Sequence, residues 1–311
     1  MDLALKYRPK TFDDVIGQDF ITNILSKQIK TKTHKNAYLF CGAHGCGKTT
    51  CARIFSNEIN HGEGQPIEID GASNNGVDNI RALIEDAQQS SIDCDYKVYI
   101  IDEAHMITTA GWNAALKLIE EPPLHCVFIF CTTNPEKIPN TILSRVQRFD
   151  FGKISNNLIT ARLKYILDNE HDYTYEIDAL NKLAILSQGH MRDAIKLLDS
   201  CIDVDDNVSL DLVESTFGLI KQESINKIID CLMVKNFDEC IKEYEHCQLK
   251  SFDGIKLFDA ILSNILDKII NNASNEQLRK NMCNIFYENR KIANKDNADT
   301  ILKYCFIKCC E

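Results

Sequence analysis

The chain has 311 residues, 44% of them hydrophobic, and a formal charge of -10. That length predicts two or three domains with ordinary cores, and the acidity excludes a protein that holds nucleic acid through a global basic surface, so any such contact has to be local or shared with partners. No stretch approaches the roughly 18 apolar residues of a membrane span and the N-terminus lacks a signal peptide's apolar region, so a cytoplasmic location with reduced cysteines is expected. The 14 cysteines are scattered and include no C-x-x-C pair, which predicts small buried apolar residues, with Cys309-Cys310 too isolated for a zinc site.

In chain order, residues 37–41 form an apolar run of strand length and residues 50–55 open a helix. Between them stands Gly42-Ala43-His44-Gly45-Cys46-Gly47-Lys48-Thr49, which fits the phosphate-cradling loop G-x-x-x-x-G-K-[ST] at each fixed position and in the strand-to-helix context it requires. In such a loop the backbone around Gly42, Gly45, Cys46 and Gly47 turns its N–H groups inward on phosphates. The helix start at Lys48, Thr49 and Thr50 adds its partial positive charge. Lys48 then reaches the β and γ phosphates of ATP, and Thr49 ligates Mg2+.

Strands are also expected at 67–70, 97–101 and 126–131. The 97–101 run is β-branched and apolar, as in a strand covered on both faces, and ends in Asp102-Glu103-Ala104-His105. Ligands of open parallel sheets bind at the strands' carboxyl ends, so Asp102 can join Thr49 on the magnesium and Glu103 is left to polarise a water. An Asp-Glu pair after a strand is usually a solvated terminus; an intact phosphate loop upstream reverses that expectation. Between these strands, a helix opening at Asn74, Asn75 and Gly76, with Arg81 one to two turns on, would offer N–H groups and a cation to DNA phosphates. The alternative is a capped surface helix with a solvated arginine.

From about 154 to 218 the apolar residues recur at helical spacing, for instance Leu180, Leu183, Ala184 and Leu186, and from 219 to 311 the pattern continues in Ile225, Ile228, Ile229 and Leu232. The expected fold class is therefore α/β: a parallel-sheet P-loop domain over residues 1–153, then a small helical domain over 154–218 and an all-helical domain over 219–311.

Several further strings carry a resemblance. Residues 5–18 (LKYRPKTFDDVIGQ), 70–77 (DGASNNGV), 118–123 (LIEEPP), 131–135 (CTTNP), 142–145 (ILSR) and 189–194 (GHMRDA) resemble, in order, the boxes of AAA+ clamp-loader ATPases, and among them the bacterial gamma/tau subunits of DNA polymerase III. The resemblance covers the chain to about residue 218, beyond which it rests on helical character and length. It implies a lid at 154–218 and an oligomerising collar at 219–311. It further implies that Tyr7, Arg8 and Pro9, with Val15, Ile16 and Gly17, lie against adenine and ribose, that Thr133 is a polar sensor near the γ-phosphate, and that Arg192 in the lid binds the same nucleotide. Arg145 would project into a neighbouring subunit's ATP site, although Val146 stands where the family usually has cysteine. A clamp-facing surface near residues 112–116 is implied too, against the general rule that a lone Trp on an amphipathic helix is core.

Bacterial members usually insert a four-cysteine zinc module after the phosphate-loop helix. Only residues 60–66 stand there, so no zinc is expected. This compact form, with no tau-like extension, points to a streamlined loader and is compatible with a viral source. Implied partners are a sliding clamp, companion loader subunits, further copies of the chain in a ring or spiral, and primer-template DNA bound without sequence preference. Two alternatives remain at this level: a nucleotide-holding structural subunit that does not hydrolyse ATP, and a helicase of DEAH type, for which only residues 102–105 speak.

Overall fold

The structure is a computed structural model that describes residues 2–90, 94–248, 254–270 and 276–311, and it divides into two compact units, Met1–Val208 and Ser209–Glu311. The first unit is built on five strands: β1 (Ala37–Cys41), β2 (Ile67–Asp70), β3 (Lys97–Asp102), β4 (Cys126–Thr132) and β5 (Gln147–Asp150). All neighbours pair in parallel, in the order β2-β3-β4-β1-β5. Parallel neighbours need long crossovers, and helices supply them. α1 (Leu3–Lys6) and α2 (Asp19–Lys30) precede β1, and the crossovers are α3 (Lys48–Ile59), α4 (Val77–Ala87), α5 (Thr109–Glu120) and α6 (Asn140–Leu143).

Successive residues of a strand point to opposite faces, so a strand covered on both sides must be apolar throughout. In β1 this sends Tyr38 and Phe40 into a core with Ile54 and Phe55 of α3, and Ala37, Leu39 and Cys41 into a second core with Ile80 of α4 and Trp112 of α5. The central strands β1 and β4 are buried along their whole length. Trp112 is 2% exposed and packs on Phe130 with ring centroids 5.2 Å apart, so the general rule holds and its ring offers no outward surface.

The fifth strand is new relative to the sequence reading. β5 reads Gln-Arg-Phe-Asp and buries only Phe149, because as an edge strand it pairs with β1 alone. Beyond it, α7 (Asn156–Glu170), α8 (Ile177–Leu186) and α9 (Met191–Ile202) pack around Leu163, Leu180, Leu183 and Leu198, all at 0% exposure. Two very short parallel strands, β6 (Thr174–Tyr175) and β7 (Asn207–Val208), accompany them; helical periodicity does not reveal such a pair.

The second unit holds α10 (Leu210–Thr216), α11 (Gln222–Met233), α12 (Phe237–Gln248), α13 (Gly254–Ile270), α14 (Glu276–Arg290) and α15 (Ala298–Cys310). Its core joins Ile225, Ile228, Ile229 and Leu232 of α11 to Phe258 and Ile261 of α13, Phe286 of α14 and Phe306 of α15. Phe258 meets Phe286 edge-on at 5.4 Å. Among the described residues no helix is long and apolar enough to cross a membrane.

Candidate nucleotide-binding site

The phosphate loop joins the end of β1 to the start of α3. Gly47, the residue before the helix, has φ +105°, a backbone that only glycine adopts freely. The Lys48 side chain is buried, and its Nζ donates to the carbonyls of Gly42 and Ala43, each at 2.8 Å. A buried ammonium bonded only to neutral carbonyls keeps its full charge available to an anion. Thr49 Oγ1 donates to Asp102 Oδ2 at 2.7 Å, so the loop and the end of β3 meet at the two groups expected to share a cation.

Glu103 follows at φ +47° and ψ +41°, a left-handed conformation that costs a residue with a Cβ about 1–2 kcal/mol. Its N–H is turned onto Asp102 Oδ1 at 3.0 Å. The strained corner is braced by Gly71, whose N–H donates to Asp102 O at 2.8 Å and where a Cβ would come within 2.8 Å of the carbonyl oxygens of both Asp102 and Glu103. The Glu103 carboxylate lies between two imidazoles: His44 Nδ1 is 3.5 Å from Oε1 and His105 Nδ1 is 3.3 Å from Oε2. The same His105 nitrogen is 3.2 Å from Thr132 Oγ1. The buried hydroxyl at the end of β4 is therefore Thr132, and Thr133 sits one residue beyond the strand.

These groups open into a cleft of about 420 Å³. It is lined by Tyr7, Arg8, Pro9, Val15 and Ile16 of the N-terminal segment, by the loop from Gly45 to Thr50, by Asp102 and Glu103, and by Arg192 of α9, whose backbone lies close to Gly45. Its lining carries Arg8, Lys48, Arg162, Arg192 and Lys196 beside five carboxylates, Asp102 and Glu103 among them. The Arg8 guanidinium is held below its ordinary pKa chiefly by burial, and then by repulsion from Arg53 and Arg192. The donor set of Lys48, Thr49 and Asp102 suits a triphosphate with a hard divalent cation.

Other expected residues lie elsewhere. Gly42 and Gly17 do not line the cleft; Gly17 backs onto Ile154 and Leu158. Arg145 is at the surface after α6, where Nε donates to Glu120 Oε1 at 2.6 Å, Nη2 pairs with the same carboxylate, and Nη1 donates to Thr141 O at 2.6 Å. The DNA candidates form a separate group at the start of α4. Gly76 is the residue before the helix, Asn75 O accepts from the N–H and hydroxyl of Thr108 at 3.2 and 3.1 Å, Asn74 N donates to Asp70 O at 2.9 Å, and Arg81 is exposed and paired with Asp78 at 3.1 Å.

Residues 60–155 match the family described as DNA polymerase III, delta subunit, and residues 158–205 match the DNA polymerase III clamp loader subunit, ATPase lid domain. The chain is 37% identical over 265 residues to DNA polymerase III subunit gamma of Buchnera aphidicola, covering 77% of this chain and 71% of that one. It belongs to the DNA polymerase III gamma/tau family. DNA polymerase III subunit tau of Bacillus subtilis is likewise 37% identical over 287 residues, 85% of this chain. The chain spans 51% of that relative and 40% of the Mycoplasma genitalium gamma/tau subunit. Among solved structures, the RuvB Holliday junction branch migration motor of Thermotoga maritima shares the fold, with TM-score 0.58 and 20% identity over 73% of this chain and 80% of that one.

Within this gamma/tau family member, three side chains at the site escaped the sequence reading. Gln18 is buried and clamps the loop: Nε2 donates to Gly152 O at 2.8 Å and Cys46 O at 3.3 Å. The signal was a buried amide inside an otherwise recognised string. Arg162 of α7 lines the cleft and donates to Tyr7 O at 2.8 Å. His44 occupies a variable position of the loop, and nothing in its spacing tells that it faces Glu103.

Proposed function

We propose that the chain is an ATP-hydrolysing subunit of a DNA-polymerase sliding-clamp loader. The observation that carries this reading is the convergence of Lys48, Thr49, Asp102 and Glu103 on one cleft, in a chain of the gamma/tau family. Lys48 and the loop N–H groups bind the phosphates, while Arg8 and Arg192 neutralise the remaining charge. Thr49 and Asp102 would hold a magnesium ion, which would supply neutralisation of the phosphate charge. Glu103, fixed by its strained backbone, orients the attacking water, and Thr132 or Thr133 reports the state of the γ-phosphate side through the end of β4. Tyr7, Pro9, Val15 and Ile16 offer an apolar wall to adenine. No zinc is used.

Arg145 faces away from its own cleft in this reading and completes a neighbour's, so that hydrolysis requires assembly. The start of α4, with Asn74, Asn75, Gly76 and Arg81, touches the backbone of primer-template DNA once per subunit, and repetition around a spiral supplies the affinity. Residues 154–218 act as the lid and 219–311 as the assembly collar, with a sliding clamp and companion subunits as partners, in the cytoplasm.

Steady-state ATPase of the chain with companion subunit, clamp and primer-template DNA tests the proposal. Stimulated turnover in wild type, with binding but no turnover in Glu103→Gln, is expected. Nucleotide binding without hydrolysis under every combination would instead favour the structural nucleotide-holder.

A further inference from the structure

The N-terminal segment crosses between two layers of the first unit, and the crossing borders the cleft. On the far side, Phe12 and Val15 are buried in the core beneath the phosphate loop, with a Thr11–Asp14 capping box fixing the turn. On the near side, residues 2–7 are fastened to the lid helices. Leu3 N donates to Asp199 Oδ2 of α9 at 3.2 Å, and Arg162 of α7 holds the Tyr7 carbonyl. The most heavily bonded anchor is the last residue of α7. Glu170 accepts from Tyr7 Oη at 2.5 Å and from Lys6 Nζ at 2.6 and 2.8 Å, and the Tyr7 ring stands edge-on to Tyr165 of the same helix at 6.3 Å. Arg8 and Pro9, between the two anchorages, line the cleft, whereas Glu170 does not.

We propose that Glu170 is a positioning residue for the nucleotide, acting through Tyr7 and Lys6 to hold Arg8 and Pro9 at the wall of the cleft. The inference rests on the reading of that cleft as an ATP site. A carboxylate only accepts hydrogen bonds, and here both oxygens take charge-assisted or phenolic donors from two successive residues, which fixes the direction of the chain as it enters Arg8. The wall of the cleft is thus hung on the lid and not only on the sheet. Loss of this anchor lets the wall drift and weakens ground-state binding, while Lys48, Asp102 and Glu103, which carry the chemistry, stay in place.

The test is titration of the full chain with a fluorescent ATP analogue, alongside kcat and KM for ATP in the complete assembly. Glu170→Ala is expected to raise Kd and KM about tenfold with kcat within about twofold of wild type. Glu170→Gln, which keeps an acceptor for the Tyr7 hydroxyl, should fall between the two. Tyr7→Phe should weaken binding less than Glu170→Ala, and the double variant should be no worse than Glu170→Ala. An unchanged Kd in Glu170→Ala, a kcat that falls with KM unmoved, or additive effects in the double variant would overturn the inference. A tie that only stabilises the fold would lower the melting temperature of the free chain and leave KM where it was. If wild type itself binds no nucleotide, the cleft assignment fails and this inference with it; if wild type binds and Glu170→Ala binds equally well, the inference alone fails.

Discussion

The cleft of the first unit and the core of the second are built from opposite materials. Around the cleft, polar groups meet at 2.5–3.5 Å across residues far apart in sequence, Thr49 with Asp102 and Lys6 with Glu170, and Glu103 stands on backbone that costs energy. In the second unit, Ile225, Ile228, Ile229, Leu232, Phe258, Phe286 and Phe306 interlock at helical spacing. A cleft of the first kind is specified atom by atom, and changes there should cost chemistry or affinity. A core of the second kind is specified by volume, so changes there should cost stability and leave nucleotide binding alone.

The largest effect expected on this contrast is at Arg145. Arg145→Ala should lower turnover of the assembled complex about 10³–10⁵-fold while the free chain binds ATP as wild type does; a loss of binding in the free chain would place the arginine in its own cleft and break the comparison of surface with site. Glu103→Gln comes next, with about a 10²–10⁴-fold loss of turnover at unchanged nucleotide affinity, read from single-turnover hydrolysis and direct binding. Phe286→Ala reverses the pattern. It should cost about 3–5 kcal/mol in the unfolding of the second unit, followed by denaturant titration, with Kd for ATP unmoved.

The smallest effect is a pH dependence. Bonds from Lys6 and then Tyr7 hold the Glu170 carboxyl below its ordinary pKa. A carboxylate whose folded pKa is depressed stabilises the fold above its unfolded pKa, about 4.3, and that contribution disappears as pH falls through the lower folded value. Acid melting curves of wild type and Glu170→Gln should therefore stand apart above about pH 4.3, wild type being the more stable, and draw together as pH falls from there through the lower folded value. Curves that stay parallel throughout would mean that the carboxylate charge plays no part in the anchor.

How much of this was legible beforehand also divides along chemical lines. The phosphate loop and the Asp102-Glu103 pair could be read because phosphate and magnesium dictate residue types at fixed spacing, and the buried strands because covering both faces demands unbroken apolar runs. β5 could not be read, since an edge strand with one buried side chain, Phe149, leaves too short a pattern. The sequence reading puts Thr133 at the end of a strand, whereas β4 ends at Thr132: the two are chemically identical, and only the register of the strand decides which faces His105. Glu103's left-handed backbone, the clamp made by Gln18 and the Tyr7–Glu170 anchor arise from tertiary meetings more than a hundred residues apart or from local strain, and neither leaves a periodic trace.

At Gly71 only a hydrogen fits. A side chain of any size there would strike the carbonyl oxygens of Asp102 and Glu103, and a few residues on, Asn75 is bonded to Thr108 at the start of α5. The loop that opens α4 therefore packs directly on the corner that carries the two carboxylates and is bonded to the start of α5. A Gly71→Ala substitution has to displace either the Asp102–Glu103 corner or the loop that opens α4.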